Sequence, residues 1–185
     1  TAGQIYLNMH ELNCDFYATP GHKWLMGPDG TGALFIRQDL IPMIEPIRVG
    51  GSLLSSPTED NAISRQENIG SITKFRLSTQ SGPLLAAQAQ AIAFVQEIGI
   101  REIEERARFL GSVMRSALSE IEGIKITSPL EGDTTCGLVT IAVEDHDPSA
   151  LVRQLWTQGN IAARQVAQPN PGVRFSTAFF NTEQE

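Results

Sequence analysis

The sequence predicts a chain in two parts, the end of an α/β domain over residues 1–99 and a small α+β domain over 100–185. Three observations carry this. Gly32-Ala33-Leu34-Phe35-Ile36 is a continuous apolar run with the length and β character of a buried strand in an α/β sheet. Two helical stretches follow, and the second carries a single apolar stripe. Beyond them the order strand, strand, helix, strand, strand fits a mostly antiparallel sheet with a helix against it.

Taken in order, Ile5-Tyr6-Leu7 and Phe16-Tyr17-Ala18 read as short extended pieces around a turn at 11–15. Residues 46–74 are rich in Pro, Gly, Ser, Asn and Thr without a period and read as a long loop, in which Gly50-Gly51-Ser52 is either a close backbone approach or plain loop. Pro83 suits a first helical turn, and 84–98 is rich in Ala, Leu and Gln, which are good helix formers. Over 101–121 the residues Ile103, Ala107, Leu110, Met114, Leu118 and Ile121 recur every three or four positions, with Gly123 as a stop. Strands are expected at 124–126, 138–143, 161–166 and 173–176. A helix over 148–158 is capped by Asp147 or Asp145 and ended by Gly159. The last residues, Asn181 to Glu185, read as a first helical turn with Thr182 near its cap, and Thr1 is not a methionine, so the expectation is a fragment cut at both ends.

Net charge is −7 with no long run of either sign, which argues against nucleic acid or an anionic membrane as the main partner. No apolar run reaches the length of a membrane span, and no secretory signal opens the chain. Cys14 and Cys136 lie far apart without metal-type spacing, so no metal site is expected and a reduced, cytoplasmic protein is.

The most informative stretch runs from Asp15 to Gly32. It sets Lys23 between His22 and Trp24, at the end of an apolar run and just before the turn Gly27-Pro28-Asp29-Gly30-Thr31-Gly32. An amine at the mouth of a sheet, partly desolvated, can form an imine with an aldehyde cofactor and afterwards move a proton. His22 and Thr19 are placed to donate to a cofactor phosphate. The alternative reading of the same residues is a surface lysine with its stem against a tryptophan. The glycine-rich turn does not fit a P-loop, since no Gly-Lys-Ser/Thr follows at the required spacing.

Gly21-His22-Lys23-Trp24-Leu25-Met26-Gly27-Pro28 with Gly30-Thr31-Gly32 resembles the lysine segment of fold-type I pyridoxal-phosphate (PLP) enzymes, and within them the class V aminotransferase group. That group includes cysteine desulfurases, selenocysteine lyases, cysteine C–S lyases and isopenicillin N epimerase-like proteins. The likeness covers almost the whole chain. It implies that 1–99 is the end of a large PLP-binding domain and 100–185 the small C-terminal domain. It implies PLP as cofactor, an amino acid as substrate and a homodimer. Lys23 would hold the cofactor as an imine and shuttle the α-proton, and His22 would help fix the cofactor. Arg76-Leu77-Ser78-Thr79 is similar to the segment whose threonine, here Thr79, reaches the phosphate of the partner subunit's cofactor. Val173-Arg174-Phe175-Ser176 looks like the strand whose arginine, here Arg174, grips the substrate α-carboxylate through two parallel hydrogen bonds, with Arg164 as a second, weaker contact. Without the family, Arg174 reads as a surface ion pair and Thr79 as an ordinary loop threonine or helix cap.

Departures from the family pattern narrow the chemistry. The stretch 165–172, where persulfide-forming members carry a nucleophilic cysteine, has none. Pro20 stands where many relatives have a hydroxyl residue, Ser78 replaces a glycine and Arg76 an acidic residue. The cofactor's ring clamp and the aspartate that pairs with its pyridine nitrogen would lie before Thr1, so these 185 residues alone are expected to be inactive. For the full-length protein the expectation is a PLP-dependent lyase or transferase of C–S lyase or epimerase-like type. The alternatives are transamination and a non-catalytic fragment of the fold that serves interaction or dimerisation.

Overall fold

The structure, a computed structural model, describes residues 2–48 and 70–185. Gly50, Gly51 and Ser52, with most of the expected 46–74 loop, lie outside the described residues. The chain divides into two compact units, Leu7–Ala93 and Phe94–Glu185 together with Thr1–Tyr6. The division falls within helix α1 (Gly82–Ile98), which begins at Gly82-Pro83 as the fixed φ of a first-turn proline favours.

In Leu7–Ala93, strands β1 (Phe16–Pro20) and β2 (Gly32–Ile36) form an antiparallel pair, Phe16 opposite Ile36 and Pro20 opposite Gly32. β1 alternates, with Tyr17 and Thr19 half-buried and Phe16, Ala18 and Pro20 exposed. Gly32–Ile36 forms the expected strand, but within this chain β2 is not buried throughout: Gly32, Ala33 and Leu34 are exposed and only Ile36 is buried. An apolar run sets what a strand can bury, not what covers it, and among the described residues one strand pairs with it. Arg37 ties the hairpin base together through Asp15 (2.5 Å) and Asp39 (2.7 Å). A 3-10 turn over Gln38–Met43 buries Ile41, and a second over Ile72–Phe75 sends the buried Lys74 ammonium to the Ile41 carbonyl.

In Phe94–Glu185, β3 (Ile124–Ile126), β4 (Leu138–Val143), β5 (Arg164–Val166) and β6 (Gly172–Ser176) form an antiparallel sheet in the order β3-β4-β6-β5. Val139, Ile141 and Val173 are almost fully buried on one face. Met114 and Leu118 of α2 (Ile100–Ser119) and Leu151, Val152 and Leu155 of α3 (Pro148–Gly159) pack against them. The stripe on α2 is as read, with Ile103, Ala107 and Leu110 buried. Ile121 is not part of it, because the helix ends at Ser119 and leaves Ile121 exposed. Gly111, on the same side, lets the Cys136 backbone come close, since a Cβ there would overlap the Cys136 carbonyl.

Several boundaries differ for local reasons. Asp147 caps α3 by accepting from the Ala150 N–H at 2.9 Å, while the helix runs through Gly159 to the left-handed Asn160 (φ 53). The Ile161 N–H is still bonded to the Leu155 carbonyl at 3.0 Å, so β5 starts at Arg164 rather than Ile161. Ile5-Tyr6-Leu7 is not a strand; a single bridge joins Ala2 to Ile5. Asn181–Glu185 forms no helix, although the Thr182 N–H donates to the Glu185 carboxylate at 2.8 Å, which is half of a capping box. No helix among the described residues is long and apolar enough to cross a membrane.

Candidate active site

Lys23 sits in the connection between β1 and β2. The Gly21 N–H donates to the Thr31 carbonyl at 2.8 Å, and the Gly21 carbonyl accepts from the Gly27 N–H, also at 2.8 Å. These bonds close a ring of backbone around His22, Lys23, Trp24 and Leu25, and the Met26 N–H adds a bond to the Lys23 carbonyl at 2.9 Å. Met26 closes this inner turn in the left-handed region (φ 57), and Gly30 takes a positive φ in the next one. The backbone under the lysine is therefore fixed while its side chain is exposed. Among the described residues the amine has no hydrogen-bond or ion-pair partner.

His22 is exposed, with Nδ1 3.9 Å from Asp29 Oδ1, too far for a hydrogen bond. Thr79 is also exposed, in the segment between the second 3-10 turn and α1. Its neighbour Gln80 lines an open hollow of about 580 Å³ with Thr19, Pro20, Thr31 and Gly32, at the strand ends that lead into and out of the lysine loop. His22, Lys23 and Thr79 are not themselves in that lining.

Arg174 is on β6, on the face opposite Val173 and thus away from α2 and α3. Its neighbours across the sheet are Thr140 on one side and Arg164 on the other. Two guanidinium groups directly opposed repel each other, and an anion between them would relieve this. Arg174 Nε is buried without a hydrogen-bond partner among the described residues, which leaves a donor for such an anion. Between β5 and β6 the chain runs Ala167-Gln168-Pro169-Asn170-Pro171, with no thiol. Cys14 is half-buried beside Met9, and the Cys136 carbonyl accepts from Arg115 at 3.4 Å. Sequence reasoning missed Gln88 and Thr31, which lie under the lysine loop. Only the glycines at 21 and 27 hinted that something occupies that space.

The fold is that of a PLP-dependent enzyme of the cysteine desulfurase kind. The chain belongs to the class V aminotransferases, whose family model, aminotransferase class V, matches residues 1–185. Among curated relatives it is 31% identical to a probable cysteine desulfurase of Staphylococcus aureus, over 100% of this chain and 45% of that protein. It is 30% identical to the isopenicillin N epimerase of Streptomyces clavuligerus, over 99% of this chain and 47% of the other. Among solved structures it resembles a cysteine desulfurase from Thermococcus onnurineus (TM-score 0.87, 26% identity, 98% of this chain and 46% of that one). It also resembles a cystine C–S lyase in complex with its product cysteine persulfide (TM-score 0.83, 25% identity, 100% and 47%). The chain spans about half the length of the curated relatives it matches.

Proposed function

We propose that the full-length protein is a PLP-dependent enzyme acting on an amino acid, of C–S lyase or epimerase type. The observation that carries this is the Lys23 amine, held on a hydrogen-bonded turn and unpartnered among the described residues. The residues of Leu7–Ala93 offer donors that fit the group, a free primary amine for an aldehyde and an imidazole and a hydroxyl for a phosphate, and Arg174 of the other unit offers an orphaned guanidinium nitrogen for the carboxylate of a substrate. PLP, when bound, supplies an aldehyde that condenses with amines and an electron sink for a carbanion.

In this reading Lys23 carries the cofactor, then removes and returns the proton at the substrate α-carbon. His22 and Thr79 contact the cofactor, Thr79 from one subunit of a homodimer to the other. Arg174, assisted by Arg164, grips the α-carboxylate and so orients the bond to be broken. The thiol-free connection between β5 and β6 favours β-elimination or epimerisation over transfer of sulfur to an enzyme cysteine.

The test is borohydride reduction of the full-length protein with PLP, followed by digestion and mass analysis. A pyridoxyl mass on the peptide carrying Lys23 is expected, and Lys23→Ala should lose both that mass and turnover. The mass on a different lysine, or undiminished turnover in the variant, overturns the assignment. Products from a panel of sulfur-containing amino acids then separate the outcomes: a keto acid with released sulfide for elimination, loss of optical purity for epimerisation.

A further inference from the structure

Gly21 and Gly27 flank the lysine, yet neither has a backbone φ in the left-handed region that favours glycine. What they need is room. A Cβ built on Gly21 would stand 2.8 Å from Gln88 Cδ, and one on Gly27 would stand 2.6 Å from it. Around Gly27 the nearest atoms all belong to the Gln88 carboxamide. Gln88 projects from α1, is only 8% exposed, and fills the volume that two side chains would otherwise take.

Its polar contacts are as specific as its packing. Thr31 Oγ1 lies 2.7 Å from the Pro28 carbonyl and 2.5 Å from Gln88 Oε1. A hydroxyl has one hydrogen and cannot donate to both. Gln88 Nε2, meanwhile, is buried without a partner among the described residues. Turning the carboxamide over sets its NH2 against Thr31, which then accepts from Gln88 and donates to Pro28. The Thr31 carbonyl already holds the Gly21 N–H, so a short chain of bonds joins α1 to the ring of backbone that carries Lys23.

We propose that Gln88 is a positioning residue for Lys23: its carboxamide is a wedge between Gly21 and Gly27 that, through Thr31, fixes the direction in which the lysine leaves the loop. The role in cofactor attachment rests on the reading of Lys23 given above; the wedge itself does not. Without the carboxamide the floor of the loop loses both its filling and its tether, and the amine loses its preorganisation.

The test uses the full-length protein and three variants, Gln88→Ala, Gly27→Ala and the double variant. The half-saturating PLP concentration is read from the borohydride-fixed pyridoxyl mass on Lys23, and loop order from hydrogen–deuterium exchange of the amides over 21–27. Gln88→Ala should speed that exchange about tenfold while the Phe16–Ile36 pairing stays protected. Both single variants should raise the half-saturating concentration roughly tenfold, the glycine variant through overpacking. The double variant should recover most of what Gly27→Ala lost, because the added methyl now enters the space the carboxamide vacated. A residue that merely supports stability would make the double variant worse than either single one, and that result, or unchanged exchange in Gln88→Ala, overturns the proposal. If the parent protein carries no pyridoxyl on Lys23, the cofactor reading fails and the exchange comparison alone decides the wedge.

Discussion

In Phe94–Glu185 order comes from a closed core: Val139, Ile141 and Val173 meet residues of two helices and are almost wholly removed from water. In Leu7–Ala93 the lysine loop is ordered by backbone hydrogen bonds and one buried carboxamide, while Phe16 and Leu34 of the supporting hairpin are each about half exposed. A two-stranded hairpin alone is marginal in water. Among the described residues, the sheet that carries the arginine is held by burial, and the loop that carries the lysine by local polar geometry. Substitutions should therefore act through different terms in the two.

The largest expected effect is in the core. Ile141→Ala should lower unfolding stability by about 2–5 kcal/mol, because the face it fills has little freedom to collapse. Leu34→Ser on the exposed hairpin should change it by less than about 0.5 kcal/mol. Denaturant melts of the two variants read the contrast, and a Leu34→Ser loss as large as that of Ile141→Ala would erase it. Gly111→Ala comes next. In an open helix this change is favourable by about 1 kcal/mol. On α2 the new methyl would strike the Cys136 backbone, which cannot swing aside as a side chain can. A net loss of roughly 1–3 kcal/mol is expected, and a gain would show that the 133–137 segment yields.

How much was legible follows the same division. The α2 stripe, β4 and the Asp147 cap could be read because each signal is local and periodic, and a closed core makes hydrophobic pattern and burial agree. Gly32–Ile36 is legible as a strand but not as an exposed one, since composition cannot report what lies on a strand's far side. Lys23 and His22 are legible in the residues from Asp15 to Gly32 and gain weight from the family likeness, whereas Thr79 and Arg174 rest on that likeness. The structure adds a place on the fold for each, and for Arg174 an orphaned nitrogen opposite Arg164. Gln88 was invisible because its contact with Thr31 joins residues 57 apart, and a lone glutamine in an Ala-rich helix looks like any good helix former.

A smaller effect concerns how Tyr6 is held beside α2. Burial acts to raise the Glu104 carboxyl, but the Tyr6 N–H at 2.8 Å, the Arg108 hydrogen bonds and the fields of Arg108 and Arg101 outweigh it and hold it below its ordinary 4.5. A carboxyl lowered on folding contributes stability that is present above its unfolded value and is lost as pH falls through its folded one. The acid limb of a stability–pH curve should therefore be shallower in Glu104→Gln than in the parent, with the parent's advantage shrinking and the two curves converging below about pH 4.5. Parallel limbs would mean that these contacts form without favouring the charged state.

The smallest effect tests whether the lysine turn is ordered by geometry alone. Met26 holds a left-handed φ of 57 while its N–H bonds the Lys23 carbonyl, and the residue is 42% exposed. A residue with a Cβ pays roughly 1–2 kcal/mol for that conformation. Glycine would remove the strain but would add about 0.5–1 kcal/mol of backbone entropy to the unfolded chain. The half-exposed methionine contributes modest burial, so Met26→Gly should leave stability unchanged or raise it by up to about 1 kcal/mol. Thermal melts of full-length protein read the sign. A clear loss would mean that the Met26 side chain, and not the backbone ring closed by Gly21 and Gly27, holds the lysine turn in shape.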